Sequence, residues 1–171
     1  MKASPTSLLL HYALSMALYF DRQYGPLQTL LSKMTSLNGG PGHAAMIQSL
    51  LHLTMRDHLS EAYSSARQAE EHFGRIPPVL GLMGYITGMS GEKNEYTKIQ
   101  SELEGFATLG LSVYYERALL KLGQRKHEEA VALLERAVRN KEFGARFLRV
   151  NPFFDGMEKI PSMQILLKQI E

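Results

Sequence analysis

Apolar residues recur three or four positions apart along most of this chain, and the same arrangement returns at a fixed interval. It is sharpest over 126–139, where Glu128 and Glu129 are followed by Ala130, Leu133, Leu134, Ala137 and Val138 on one helical face. Upstream, Leu27, Leu30, Leu31 and Met34 form one such stripe, and Ala62, Ala66 and Ala69 form another made of small residues. The matched positions Leu27, Ala62, Tyr96 and Ala130 stand 35, 34 and 34 residues apart. A period near 34 is the signature of helix pairs stacked in an array. The pattern predicts an all-α fold of four pairs: 5–20 with 24–37, 44–55 with 58–73, 78–89 with 93–103, and 112–122 with 126–139.

Between the stripes lie helix breakers. Asn38-Gly39-Gly40-Pro41-Gly42 reads as a turn between repeats. It is not a phosphate cradle, which needs a Gly-Lys-Ser/Thr ending that leads from a strand. Asp57 is placed to cap the helix after it, Pro78 suits a first helical turn, and Gly91 suits the turn before the next helix. Gly81, Gly84 and Gly88 fall inside a predicted helix, where each costs about 1 kcal/mol relative to alanine. Close helix contact is the first explanation, and a groove for a peptide backbone is the second.

Composition narrows the chemistry. Nineteen basic and 17 acidic residues leave a formal charge of +2, so no overall field favours nucleic acid or an anionic membrane. The absence of cysteine excludes disulfides and thiolate metal sites. The six histidines are scattered without metal-ligand spacing, and Glu70-Glu71, Glu102 with Glu104, and Glu128-Glu129 read as solvated faces or acidic first turns. No nucleophile elbow, dinucleotide fingerprint or kinase motif is present. The expectation is a protein with no catalytic residue, no metal and no cofactor. The apolar stretch over 1–20 is interrupted by His11, Tyr12 and Ser15 and followed by Asp21 and Arg22, so it reads as a buried first helix, with no membrane insertion and a cytoplasmic location expected. The base-rich stretch 117–149 reads as a solvated face, with an acidic or nucleic-acid partner as the alternative.

The period and its small residues resemble the tetratricopeptide repeat family. Gly84 stands at the small position of a first helix, Gly91 at the turn, and Ala62 and Ala130 at the small position opening a second helix, with Tyr24 before Leu27. Leu27 and Tyr96 depart from that small position. The last 95 residues resemble the ends of arrays in bacterial multidomain regulators, whose terminal signature is Val-Asp-Pro-x-Phe-Asp-x-Leu, then Asp-Pro-x-Phe and Leu-Leu. Here it reads Val150-Asn151-Pro152-Phe153-Phe154-Asp155-Gly156-Met157, then Ile160-Pro161-Ser162-Met163 and Leu166-Leu167. The resemblance implies a right-handed α-α superhelix in a single domain over 1–171, with repeats at 5–38, 43–74, 77–105 and 112–140. A cap over 141–171 would end in a helix over 161–170, with Phe147, Phe153, Phe154 and Met157 as plugs. It also implies that the chain is the regulatory or sensory tail of a longer bacterial signalling protein.

Arrays of this family hold peptides on the concave surface of their first helices. The alignment puts Tyr12, Met16, Tyr19, Ile47, Leu51, Met55, Tyr85, Met89, Arg117 and Lys121 there. That surface suits an apolar peptide or amphipathic helix from a partner protein, and the same stripe is equally a packing face. The family's carboxylate clamp is not supplied, because Tyr12, Met16, Ile47 and Leu51 lack the required charge. Two further readings stay open: self-association through the apolar helix over 8–20, and a small-molecule sensor or enzyme pocket built on Tyr19, Tyr85 and nearby histidines.

Overall fold

A computed structural model describes residues 5–55 and 58–170. These residues form nine α-helices and no strand. The helices are α1 Pro5–Phe20, α2 Tyr24–Met34, α3 Gly40–Thr54, α4 Leu59–Phe73, α5 Pro77–Ser90, α6 Lys93–Thr108, α7 Tyr114–Gly123, α8 His127–Arg139 and α9 Pro161–Gln169. Three short 3-10 turns, Gly144–Phe147, Pro152–Phe154 and Met157–Lys159, separate α8 from α9. Neighbouring helices pack together, α1 on α2, α3 on α4 and α7 on α8. The chain divides into two compact units between Val79 and Leu80, within α5.

The 34-residue interval has a backbone counterpart. Leu27, Ala62, Tyr96 and Ala130 are each the fourth residue of α2, α4, α6 and α8, and each is buried. Each of their amides donates to the carbonyl four residues back, at Gln23, His58, Glu92 and Lys126, over 3.0 Å. The turns ahead of α2, α6 and α8 share one geometry. Arg22, Gly91 and Arg125 adopt φ of 58°, 79° and 60°, and the amides of Gln23, Glu92 and Lys126 reach the carbonyls of Leu18, Thr87 and Lys121 at 2.9, 3.1 and 2.9 Å. This is the six-to-one closure that satisfies the last carbonyls of a helix. The corresponding turn ahead of α4, with the expected Asp57 cap, lies outside the described residues. His58, the residue before α4, makes no side-chain cap bond.

The glycine run is used differently from the expected turn. The turn is confined to 35–39 and ends at left-handed Gly39, and Gly40 already opens α3 with Pro41 in its first turn. A Cβ on Gly42 would lie 2.7 Å from His72 Cβ, so this glycine lets α3 approach α4. Along the same two helices Ala62, Ala66 and Ala69 are fully buried, and the buried Ser49 hydroxyl donates to Ala62 O at 2.7 Å.

In the second unit, Gly81, Gly84 and Gly88 line a close crossing with α7. Cβ atoms there would meet Glu116 Cγ at 2.9 Å, Leu120 Cδ1 at 2.2 Å and the Gly123 carbonyl carbon at 3.0 Å. Gly123 completes the crossing, since its own Cβ would fall 2.3 Å from Tyr85 O. The propensity lost by these glycines is offset by the packing that their missing side chains permit.

Each unit has its own core. Tyr19, Leu27, Leu31, Met34, Ala44, Ile47 and Leu51 form the first. In the second, Leu119, Leu122, Val131 and Leu134 are joined by Leu148, Phe154, Met157, Met163 and Leu166 from the C-terminal segment. Polar contacts fix this C-terminal segment. Asn151 Oδ1 accepts from the Phe153 amide at 3.0 Å while its Nδ2 donates to Tyr115 Oη at 3.3 Å, a donation that an ionised aspartate could not make. The buried Glu142 carboxylate accepts from the amides of Tyr114 and Tyr115 at 3.0 and 2.7 Å and from the Ser112 hydroxyl. Its charge satisfies the exposed amides at the start of α7, where Val113 offers no capping side chain.

Candidate functional site

Of the ten residues expected on a docking face, six fall in the first unit. Tyr19, Ile47 and Leu51 have no exposed surface and belong to its core. The helical spacing that put them on an inner face is equally the spacing of a packed face. Tyr12, Met16 and Met55 are half-buried against that core. Tyr12 stands edge-on to His43 at 5.1 Å, and burial raises its phenol pKa. The other four lie in the second unit. Tyr85 packs edge-on against Phe153 at 4.3 Å, Met89 is exposed, Arg117 is half-buried, and Lys121 pairs with Glu129 at 2.8 Å. Burial raises the Tyr85 pKa, with Arg125 opposing it.

Two surfaces stand out. The first is the outer face of α1. Leu9, Leu10 and Leu14 are 67%, 63% and 51% exposed, and Ala13 and Ala17 extend the same strip. Residues three and four apart on a helix are neighbours, so the strip is continuous. No charged residue occurs in α1, and a helix apolar on all sides is ordinarily covered on all sides.

The second surface is a cleft of about 630 Å³ in the second unit, lined from the α5–α6 turn by Thr87, Gly88, Gly91, Lys93, Tyr96, Thr97 and Gln100 and from the α7–α8 turn by Lys121, Gln124 and Lys126. Three lysines and no carboxylate line it. Glu129, one turn into α8, pairs with Lys121 at 2.8 Å and with Lys126 at 3.8 Å, and the hydrogen bond from Lys121 is the main cause of its lowered pKa. Tyr96 is only 7% exposed, and its hydroxyl donates to Leu120 O at 3.5 Å. Burial raises its pKa and the Glu129 charge adds to the effect. Sequence reasoning placed Lys121 on the docking face and Lys126 in the base-rich stretch, but missed Lys93 and the cleft that joins them. The available signal was that Lys93, like Lys126, stands at a helix start, where the dipole disfavours a cation.

Much of the base-rich stretch is engaged internally. Arg136 lies 4.4 Å over the Tyr114 ring, Arg139 pairs with Glu135 at 3.4 Å, and Arg149 donates to the carbonyls of Leu167 and Ile170 at the end of α9. These contacts fit the solvated-face reading of those three residues.

Titratable groups gather at two further places. His52 stacks on His58 at 6.0 Å, and its Nε2 faces Gln48 Nε2 at 3.1 Å. Burial lowers the His52 pKa, His58 adds to this, and Glu61 opposes it. Glu116 is pushed up to about 7 by burial, a backbone hydrogen bond opposes this, and the Glu142 charge reinforces it. Among the described residues no group of three or more His, Asp or Glu side chains is arranged to hold a metal, and no helix is long and apolar enough to cross a membrane. No protein-family model matches the chain, and comparisons with curated proteins and with solved structures gave no match.

Proposed function

We propose that this chain is a noncatalytic helical-repeat scaffold of the tetratricopeptide kind, which binds a peptide or amphipathic helix of a partner protein on its first-helix surfaces. One observation carries the reading: the buried fourth residue of α2, α4, α6 and α8 recurs at steps of 35, 34 and 34 residues, with one turn geometry ahead of three of those helices. A repeated unit of this size presents a row of similar faces, and a preformed row lowers the ordering cost of binding an extended partner. The residues with surface to offer are Tyr12, Met16 and Met55 in one unit and Tyr85, Met89, Arg117 and Lys121 in the other. A role as the regulatory part of a longer signalling protein extends the same reading.

A displayed peptide library selected on the whole chain tests it. Amphipathic sequences should be enriched, and their binding should fall about tenfold or more in Met89→Glu and in Tyr12→Ala variants that keep wild-type helicity, the loss typical of a central contact. Equal binding by wild type and both variants rejects the docking face.

The α1 strip supports a second reading, self-association. A second copy is the occupant that this strip suits, because pairing two uncharged faces buries no charge. One 16-residue helix is about 24 Å long, and such a strip alone covers less than the roughly 800 Å² per partner of a standard interface, so the dimer would be weak. Sedimentation equilibrium should show a concentration-dependent dimer that Leu10→Glu with Leu14→Glu abolishes. A monomer throughout the accessible concentration range would remove this reading.

A further inference from the structure

We infer that the cleft between the α5–α6 and α7–α8 turns is a docking site for an acidic peptide segment, a short run of Asp or Glu side chains. The inference goes beyond the apolar docking face and stands without it. Its lining carries three ammonium groups and no carboxylate, and it is an open cleft whose volume of about 630 Å³ is within the range of ligand clefts.

The placement of the lysines sharpens the point. Lys93 is the first residue of α6 and Lys126 is the residue just before α8. Both put a cation at the positive end of a helix dipole, where each is disfavoured. Folding offsets this in part with acids in the first turns, Glu95 in α6 and Glu128 and Glu129 in α8. Glu129 reaches two of the cleft lysines and divides one charge between Lys121 and Lys126. A ligand with several carboxylates supplies what one glutamate cannot. It would meet Lys93 directly and compete with Glu129 for the other two.

The other linings favour a peptide over nucleic acid. The single aromatic ring, Tyr96, is buried with its hydroxyl engaged, so it offers no face on which a base could stack. The hydroxyl of the exposed Thr97 already donates to the carbonyl of Lys93 at 2.8 Å, leaving its oxygen to accept from a peptide amide, whereas Thr87 is buried. Gln124, also in the lining, carries an amide able both to donate and to accept.

A fluorescein-labelled octaglutamate peptide, titrated with the full chain by anisotropy at low and at physiological salt, tests the proposal. Saturable binding that weakens with salt is expected. Lys93→Gln with Lys126→Gln should weaken it roughly tenfold, and Glu129→Gln should strengthen it severalfold by releasing two lysines. A Gly-Ser peptide of equal length should not bind. No saturable binding even to the Glu129→Gln variant, binding unchanged by the double lysine variant, or equal competition by a single-stranded oligonucleotide would each overturn it. All three side chains lie on the surface, and unchanged helicity would exclude misfolding as the cause.

Discussion

The two units treat their helix faces in opposite ways. In the second, the chain after α8 folds back, and Phe154, Met157, Met163 and Leu166 are buried with Leu134 and Val131. In the first, α1 is as apolar as any helix in the chain except α5, yet Leu9, Leu10 and Leu14 remain more than half exposed. A stack of amphipathic helices always leaves a last face to be covered. The second unit covers one with its own C-terminal residues, while the strip on α1 stays exposed. This difference is what makes α1 a candidate contact surface and Phe154 a stability residue.

The largest effect should come from opening the plug. Phe154→Ala removes a side chain that is 3% exposed and should cost about 3 to 5 kcal/mol in urea unfolding. Leu14→Ala in the first unit should change stability by less than about 0.5 kcal/mol, as surface substitutions do. Comparable losses in both variants would erase the contrast.

Next comes the glycine crossing. Gly123→Ala gains helix propensity of about 1 kcal/mol, but its Cβ would lie 2.3 Å from a backbone oxygen of Tyr85. A net loss of about 1 to 3 kcal/mol is expected, measured by thermal unfolding. A stabilised variant would show that α5 and α7 have room to part.

The raised pKa of Glu116 predicts the sign of a pH dependence in the second unit. The unfolded carboxyl ionises near pH 4.3, whereas in the fold its pKa is about 7. Between those values the unfolded chain loses its proton first, so this group's contribution falls as pH rises and is fully lost above the folded pKa. Glu116→Gln should flatten that slope and raise stability at pH 8 by about 1 to 2 kcal/mol, a figure reduced because the side chain is only half-buried. Urea titrations at pH 5 and pH 8 read the difference directly, and parallel pH profiles for variant and wild type would exclude this carboxyl as its source.

The smallest effect concerns the repeated turn. Arg22 and Arg125 occupy the left-handed conformation that glycine fills at 91. Arg22→Gly should stabilise the first unit by up to about 1 kcal/mol, since glycine removes the Cβ clash of that conformation at some cost in unfolded-state entropy. Destabilisation would mean that the arginine side chain matters more than its backbone.

Helix positions were legible because each rests on local physics. The apolar stripes and Gly91 place the starts of α2, α6 and α8 to within a residue, whereas the helix over 161–170 was an expectation from the family resemblance alone. Where local signals conflicted, tertiary contact decided. Gly40 and Gly42 look like a turn by composition, yet they open α3 because α4 lies too close to admit a Cβ at 42. Tyr19, Ile47 and Leu51 share the spacing of Tyr12, Met16 and Met55, and only packing separates core from surface among them. The lysine cleft joins residues 93 and 126, which no local pattern connects. Helical periodicity is written in neighbours three and four apart, whereas which face is covered, and which charges meet, depends on contacts between segments distant in the chain.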